Sequence, residues 1–263
     1  MNIINEIGDL VEVEYFNQIC SYLNFGEKYD IIYVQRWNDI KTELKKPTIM
    51  FLISDEQHSM PTKYLNHPNI IIIFKNYGLL NEVHPKVKPL PLGWVGGFNG
   101  TNEIPFMERT YDYSFCGAWN NNGREGLGIA FTKRQHDGKV KYFNMSRTWK
   151  GNLSVQDYAS IMSNTKLSIC PPGYVTTECF RINESAMCGN IIICDKPCNF
   201  FYNKNMPYFK PKSWQELDII DDILSRPKKE LENISKETYN WYLNNISPKK
   251  VAEYIENEMI NIG

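Results

Sequence analysis

The segment from Thr165 to Asp195, TKLSICPPGYVTTECFRINESAMCGNIIICD, constrains the fold more than any other part of this sequence. Residues 166–170 are a short apolar run that Pro171, Pro172 and Gly173 terminate. Proline lacks the N–H a central strand needs, and glycine accepts turn conformations. Thr176 and Thr177 are cap residues for a helix predicted over 178–187, which Gly189 ends. Residues 191–194, Ile-Ile-Ile-Cys, then read as a second buried strand. Strand, helix and strand at this spacing make a βαβ unit, which sets a helix N-terminus beside the edge of a parallel sheet. The free N–H groups and dipole of that terminus attract anions. Arg181 and Glu184 stand one turn apart on the same helix face. Alone they read as an ordinary surface ion pair; together with the turn they suit a nucleoside diphosphate, guanidinium to phosphate and carboxylate to ribose.

The pattern Cys170-Pro171-x-Gly173-Tyr174, then Arg181-x-x-Glu184 and Gly189 before an apolar strand, resembles the exostosin-like glycosyltransferases. The likeness is good over roughly residues 111–199 and loose before that. It implies an α/β enzyme of GT-B type, with two Rossmann-like domains facing a cleft and a nucleotide-sugar donor used without a bound metal. It also implies direct displacement with inversion at the anomeric carbon, a UDP-linked donor with UDP-xylose among the candidates, and a glycan or glycolipid acceptor. Where the family continues into a Val/Pro-rich strand, this chain has Asn190-Ile-Ile-Ile-Cys, a conservative change, but donor identity does not carry over. The resemblance assigns Arg181 to the diphosphate, Glu184 to the ribose, and Tyr174, Thr176 and Thr177 to the donor pocket.

A chain of 263 residues has room for one large domain or two compact ones. Its alternating strands and helices fall into two sets. The first has a helical pattern within residues 9–25 and apolar strands at 30–35, 47–53 and 69–75, continuous as expected of a sheet buried on both faces. A short strand at 86–94 closes it, and Gly93, Gly96, Gly97 and Gly100 read as a flexible crossing. The second set predicts strands at 113–119 and 139–143 and helices at 123–133 and 154–163. The βαβ unit follows, then helices at 213–224, 227–243 and 248–260. The expected domains are 1–105, with 248–263 packing back on it as the acceptor side, and 106–247 as the donor side.

Net charge is −1 with no basic block, which gives nucleic acid no electrostatic footprint. The acidic start MNIINEIGDLVEVEYF lacks the basic region of a secretory signal, and no apolar run is long enough to span a bilayer. The expectation is a cytoplasmic enzyme of microbial or viral origin. Seven cysteines without metal-ligand clustering are expected to be reduced thiols.

The resemblance implies that the turn after the strand at 113–119 approaches the donor diphosphate; there Gly117 suits a close backbone approach and Arg124 the negative charge that develops on the leaving group. The bland alternative is a Gly-rich turn with a solvated arginine. Gly123-x-x-Gly126-x-Gly128 has the wrong order for a dinucleotide fingerprint, and no ribose-binding acid ends the next strand. For a base that takes the acceptor proton, the densest set of titratable groups in the first half is Asp55, Glu56 and His58, after the strand at 47–53. A solvated loop with a capping aspartate is the competing reading. Lys75, His84 and the Trp94 loop are candidates to shape the acceptor pocket. Trp37, Trp94, Trp119 and Trp149 are candidate sugar platforms, each weighed against burial in a core. No D-x-D occurs anywhere, consistent with arginines and a helix dipole in place of a cation. A non-catalytic carbohydrate- or nucleotide-binding module is the alternative to the transferase, with a Rossmann oxidoreductase third.

Overall fold

A computed structural model describes residues 2–35, 38–119, 124–147 and 149–262, with the backbone alone for Trp149 and Lys150. Trp37, Gly123 and the side chain of Trp149 therefore lie outside the described residues. In chain order the elements begin β1 (Asn2–Asn5), α1 (Val13–Tyr22), β2 (Asp30–Gln35), β3 (Thr48–Ile53), α2 (Thr62–Leu65), β4 (Ile70–Asn76) and β5 (Val87–Leu90). They continue with β6 (Tyr111–Ala118), α3 (Glu125–Lys133), β7 (Lys141–Ser146), α4 (Val155–Ser163), β8 (Thr165–Cys170) and α5 (Phe180–Met187). The last are β9 (Ile191–Cys194), α6 (Ile219–Leu224), α7 (Lys228–Asn245) and α8 (Pro248–Ile260). Two compact units result: Met1–Leu92 with Asn199–Tyr202 and Ser247–Gly263, and Gly93–Cys198 with Asn203–Ile246.

The first unit holds a parallel sheet in the order β1-β2-β3-β4-β5. Alternate side chains take opposite faces. Tyr33, Phe51 and Phe74 align across three neighbouring strands. Phe51 meets Phe16 of α1 at 5.7 Å, and Phe74 meets Tyr254 of α8 at 6.0 Å. On the other face Ile32, Val34, Met50, Leu52 and Ile73 pack with Tyr64 of α2. Both faces are thus covered, which is why these strands read as unbroken apolar runs. The short, mostly exposed strand β1 has no such run and leaves no sequence signal.

In the second unit the order is β7-β6-β8-β9, all parallel. Tyr113, Phe115, Leu167, Ile169, Ile191 and Ile193 bury one face with α3 and α6. The opposite face is small and polar, with Ser114 bonded to Thr165 at 2.8 Å and Ser168 to Ser185 of α5 at 2.6 Å. From β6 the chain passes to β7 on one side and reaches β8 on the other. The carboxyl ends of β6 and β8 therefore flank a topological switch point, the crevice where open α/β sheets take ligands.

Three expectations need correction. The helix predicted over 213–224 is confined to α6, because Ser213 accepts a turn bond from the Gln215 N–H and Leu217 takes a left-handed φ of 55°. Helix α5 starts at Phe180 rather than 178, after an extended Cys179, and has no side-chain cap. The Gly-rich stretch after residue 92 is fixed within the second unit: Trp94, Val95 and Phe98 are buried there, and the Val95 N–H donates to Glu184.

Candidate functional site

Two arginines converge on the switch point of the second unit. Arg124 lies just before α3 and donates to the carbonyls of Ala118, at the end of β6, and Pro172, beyond β8, each at 3.1 Å. Arg181, in the first turn of α5, donates to the carbonyl of Cys116 and lies 4.6 Å over the Phe115 ring. Both are buried, with 6% and 9% of their surface exposed. Nonetheless Arg124 Nε and Arg181 Nε and Nη1 have no acceptor among the described residues. Burial, with the Arg181 charge adding to it, pushes Arg124 down to about 10, so it stays cationic at neutral pH. For Arg181 burial also opposes the charge, but Tyr158, two cysteines and Glu184 outweigh it and hold the pKa above its ordinary value.

Gly117 makes room for this arrangement: a Cβ there would stand 2.4 Å from Arg181 Nη2. Glu184 is buried one turn along α5, accepting from Tyr158 Oη at 2.6 Å and from the Val95 N–H at 3.2 Å. Thr176 does not cap α5; its hydroxyl accepts from the Glu178 N–H at 3.3 Å, while Thr177 meets Cys198 Sγ at 3.5 Å. The two threonines order the β8–α5 loop, and Cys179, the residue before α5, makes no side-chain cap bond. Tyr174 in that loop is 61% exposed, and Trp119 beyond β6 is 40% exposed. The structure thus brings Gly117, Arg124, Arg181 and Glu184 together around the ends of β6 and β8.

The other candidates sit at the carboxyl edge of the first unit's sheet. Asp55 forms a buried ion pair with Lys75 at 3.1 Å and accepts from Ser59 at 3.0 Å. Lys75 also donates to the carbonyls of Tyr77 and, at 3.2 Å, Asn76. His58 has its pKa lowered mainly by burial, and its Nδ1–H donates to the Gly78 carbonyl at 2.7 Å. Partial burial raises the pKa of Glu56. His84 precedes β5 and so lies at the opposite edge, where the strands begin; it does not join this group. Trp94 packs against Tyr242 at 6.4 Å in the second unit's interior and is no exposed platform.

Four residues escaped sequence reasoning. Tyr158 orients Glu184 from 26 positions away. Arg109, buried before β6, donates to the Cys188 and Gly189 carbonyls at the end of α5. Glu12 accepts from Ser54, and Asn76 ends β4 fully buried. Nothing local distinguishes them: Tyr158, Arg109 and Glu12 act through distant partners, and Asn76 reads only as the end of an apolar strand. Among the described residues no group of three or more His, Cys, Asp or Glu side chains is placed to hold a metal ion. No described helix is long and apolar enough to cross a membrane.

No family model matches the chain, and no curated protein matches its sequence. Solved structures do match its fold. Sucrose-phosphate synthase from Thermosynechococcus elongatus gives a TM-score of 0.52 at 9% identity, over 95% of this chain and 78% of that one. The pneumococcal O-GlcNAc transferase GtfA, solved with UDP and GlcNAc, gives 0.52 at 10% identity over 95% of this chain and 59% of its own length. HepE of Anabaena, solved with UDP, gives 0.51 at 12% identity over 82% and 73%. The shared fold is the GT-B arrangement of glycosyltransferases, with a parallel-sheet unit in each half.

Proposed function

We propose that this protein is an inverting glycosyltransferase, exostosin-like, that moves a sugar from a UDP-linked donor to a glycan or glycolipid hydroxyl without a bound metal. The observation that carries this reading is the pair of buried arginines at the switch point, of which three nitrogens have no acceptor among the described residues. Leaving a buried donor unpaired costs about 1–3 kcal/mol, more when it is charged. A diphosphate can accept from all three nitrogens and neutralises both charges, with the N-terminal end of α5 adding its dipole. The UDP bound to GtfA and HepE, which share this fold, supports the same donor class.

In this reading the second unit binds the donor: Arg124, Arg181 and the Gly117 turn at the diphosphate, Glu184 at the ribose, Thr176 and Thr177 shaping the loop, and Tyr174 at the base or sugar. The first unit takes the acceptor, with its proton acceptor at the edge that carries Asp55, Glu56 and His58. As the acceptor oxygen bonds to the anomeric carbon, the bond from that carbon to the diphosphate breaks and UDP leaves with the electron pair. The two guanidinium groups stabilise the charge that develops on the leaving group.

Calorimetric titration with UDP, ADP and GDP tests the donor assignment. UDP is expected to bind most tightly, and Arg181→Ala or Arg124→Ala to weaken it at least tenfold. Absence of UDP binding by the folded wild type would sink the proposal. Transfer is expected to survive EDTA, and complete loss that manganese restores would refute the metal-independent part.

A further inference from the structure

Two buried side chains at the carboxyl edge of the first unit have polar atoms without partners among the described residues. Glu12 is 3% exposed; its Oε1 accepts from Ser54 Oγ, while Oε2 accepts from nothing. Asn76 is fully buried, and both its Oδ1 and its Nδ2 are unpaired. The two lie on one face of the sheet. Glu12 directly precedes α1, whose Phe16 packs on Phe51. Asn76 follows by two residues Phe74, which also packs on Phe51, and side chains two apart in a strand share a face. Leu52 pairs with Lys75, so the next step brings the end of β3, from which Ser54 reaches Glu12, level with Asn76. Ser54, His58 and Tyr77 around this edge hold left-handed φ values of 58°, 54° and 49°. Such strain in residues with side chains concentrates at ligand sites.

We propose that Glu12 and Asn76 seat the acceptor hydroxyl, and that Glu12 Oε2, ahead of Asp55, Glu56 or His58, takes its proton. This rests on the transferase reading above. A hydroxyl both donates and accepts. The carboxylate receives its proton, Asn76 Nδ2 donates to its oxygen, and Asn76 Oδ1 accepts from a neighbouring hydroxyl, the pattern a saccharide diol supplies. In the step itself the acceptor O–H proton passes to Glu12 Oε2 while the oxygen–anomeric carbon bond forms and UDP departs with the electrons of the broken bond. Asp55 is already engaged by Lys75 and Ser59. Burial raises the pKa of Glu12 and outweighs the hydrogen bonds from Ser54 and from its own backbone N–H, which lower it; the Glu56 charge adds to the rise, which strengthens Glu12 as a base.

The experiment measures UDP release from UDP-glucose, UDP-N-acetylglucosamine and UDP-xylose with a panel of methyl glycosides as acceptors, alongside UDP affinity by calorimetry. Glu12→Gln is expected to cut turnover by about 10²–10⁴ while UDP affinity stays within twofold. Asn76→Ala is expected to raise the acceptor KM at least tenfold. A folded Glu12→Gln with turnover within threefold of wild type overturns the proposal; where that variant does not fold, an unchanged KM in Asn76→Ala does so. Absence of UDP binding in the wild type is instead a failure of the transferase reading. In that case, or without measurable turnover, saturation-transfer NMR with the same methyl glycosides decides. Binding lost in both variants supports the hydroxyl site, and no binding, or binding that both retain, overturns it.

Discussion

Gly117→Ala tests whether the second unit is built around the position of Arg181. The added methyl would stand 2.4 Å from Arg181 Nη2. Restoring van der Waals contact needs a shift of roughly 1 Å. The guanidinium has little freedom to give way, since it lies over Phe115 and donates to the Cys116 carbonyl. A hydrogen bond to a charged group is worth about 1.5–3 kcal/mol. In a protein of this size that is a fall in melting temperature of roughly 3–12 °C, at about 2–4 °C per kcal/mol. If the displaced Arg181 is also a diphosphate ligand, the same energy appears as UDP affinity, about tenfold for each 1.4 kcal/mol. Thermal melts and UDP calorimetry on one sample read both. Gly128→Ala in α3 is the control: its Cβ would meet only Met145 Cε, at 3.2 Å. Glycine to alanine in a helix gains up to about 1 kcal/mol, so the control should be neutral or stabilised with UDP affinity unchanged. A Gly117→Ala protein that melts and binds UDP like the wild type would show that the glycine is not there for Arg181.

Glu184→Gln is expected to weaken UDP binding by about 1–3 kcal/mol and to abolish any preference for UDP over 2′-deoxy-UDP; a preference that persists removes Glu184 from the ribose. Arg109→Ala strips the end of α5 of its cap and should cost on the order of 3 kcal/mol of stability, because several buried carbonyls lose a charged donor together; a melt within 2 °C of wild type, about the effect of 1 kcal/mol, would contradict that. Asp137 is lowered from 3.8 to about 2: burial works against its charge, but hydrogen bonds from Lys141, the Lys139 N–H and Tyr113 outweigh it. Its folded pKa lies below the unfolded one, so the stability it contributes is present above pH 4 and lost as the pH falls toward 2. Asp137→Asn should flatten that acid limb by about 1–2 kcal/mol in urea melts, and an unchanged slope would refute the assignment.

The parallel sheets were legible because burial on both faces makes each central strand a continuous apolar run, as in residues 30–35 and 48–53. Elements without a burial signal were not legible: β1 is an exposed edge, and α2 is a single turn. Within the second unit, Arg181 and Glu184 stood out because one helix turn and a Pro/Gly strand exit frame them. What they touch was invisible, since Cys116 and Tyr158 lie 65 and 26 positions away. In the first unit the loop at 54–58 advertised its charges, but the partner that neutralises Asp55 sits on the next strand, 20 residues on. Glu12 looks like any acid at a helix start until Ser54 is brought to it across 42 residues.

The arginines of the second unit supply the internal comparison that separates structure from binding. Arg109 and Arg181 are both buried, and both lie against α5 or within it. Arg109 spends its donors inside the protein: Nε on the Ile104 carbonyl at 3.3 Å, Nη1 on Thr165, Gly189 and Asn190 at 2.8–3.2 Å, and Nη2 on Cys188 at 2.7 Å. That is a guanidinium whose work is finished when the chain folds. Arg181 and Arg124 each keep donors without an acceptor among the described residues, and both do so beside the same two strand ends. Two like charges held close, each under-bonded, destabilise a fold unless something anionic joins them. A ligand that bridges both should therefore stabilise the second unit by more than its contacts with either arginine alone. Arg124→Ala and Arg181→Ala should accordingly be non-additive in UDP affinity, the double variant losing measurably less than the sum of the two.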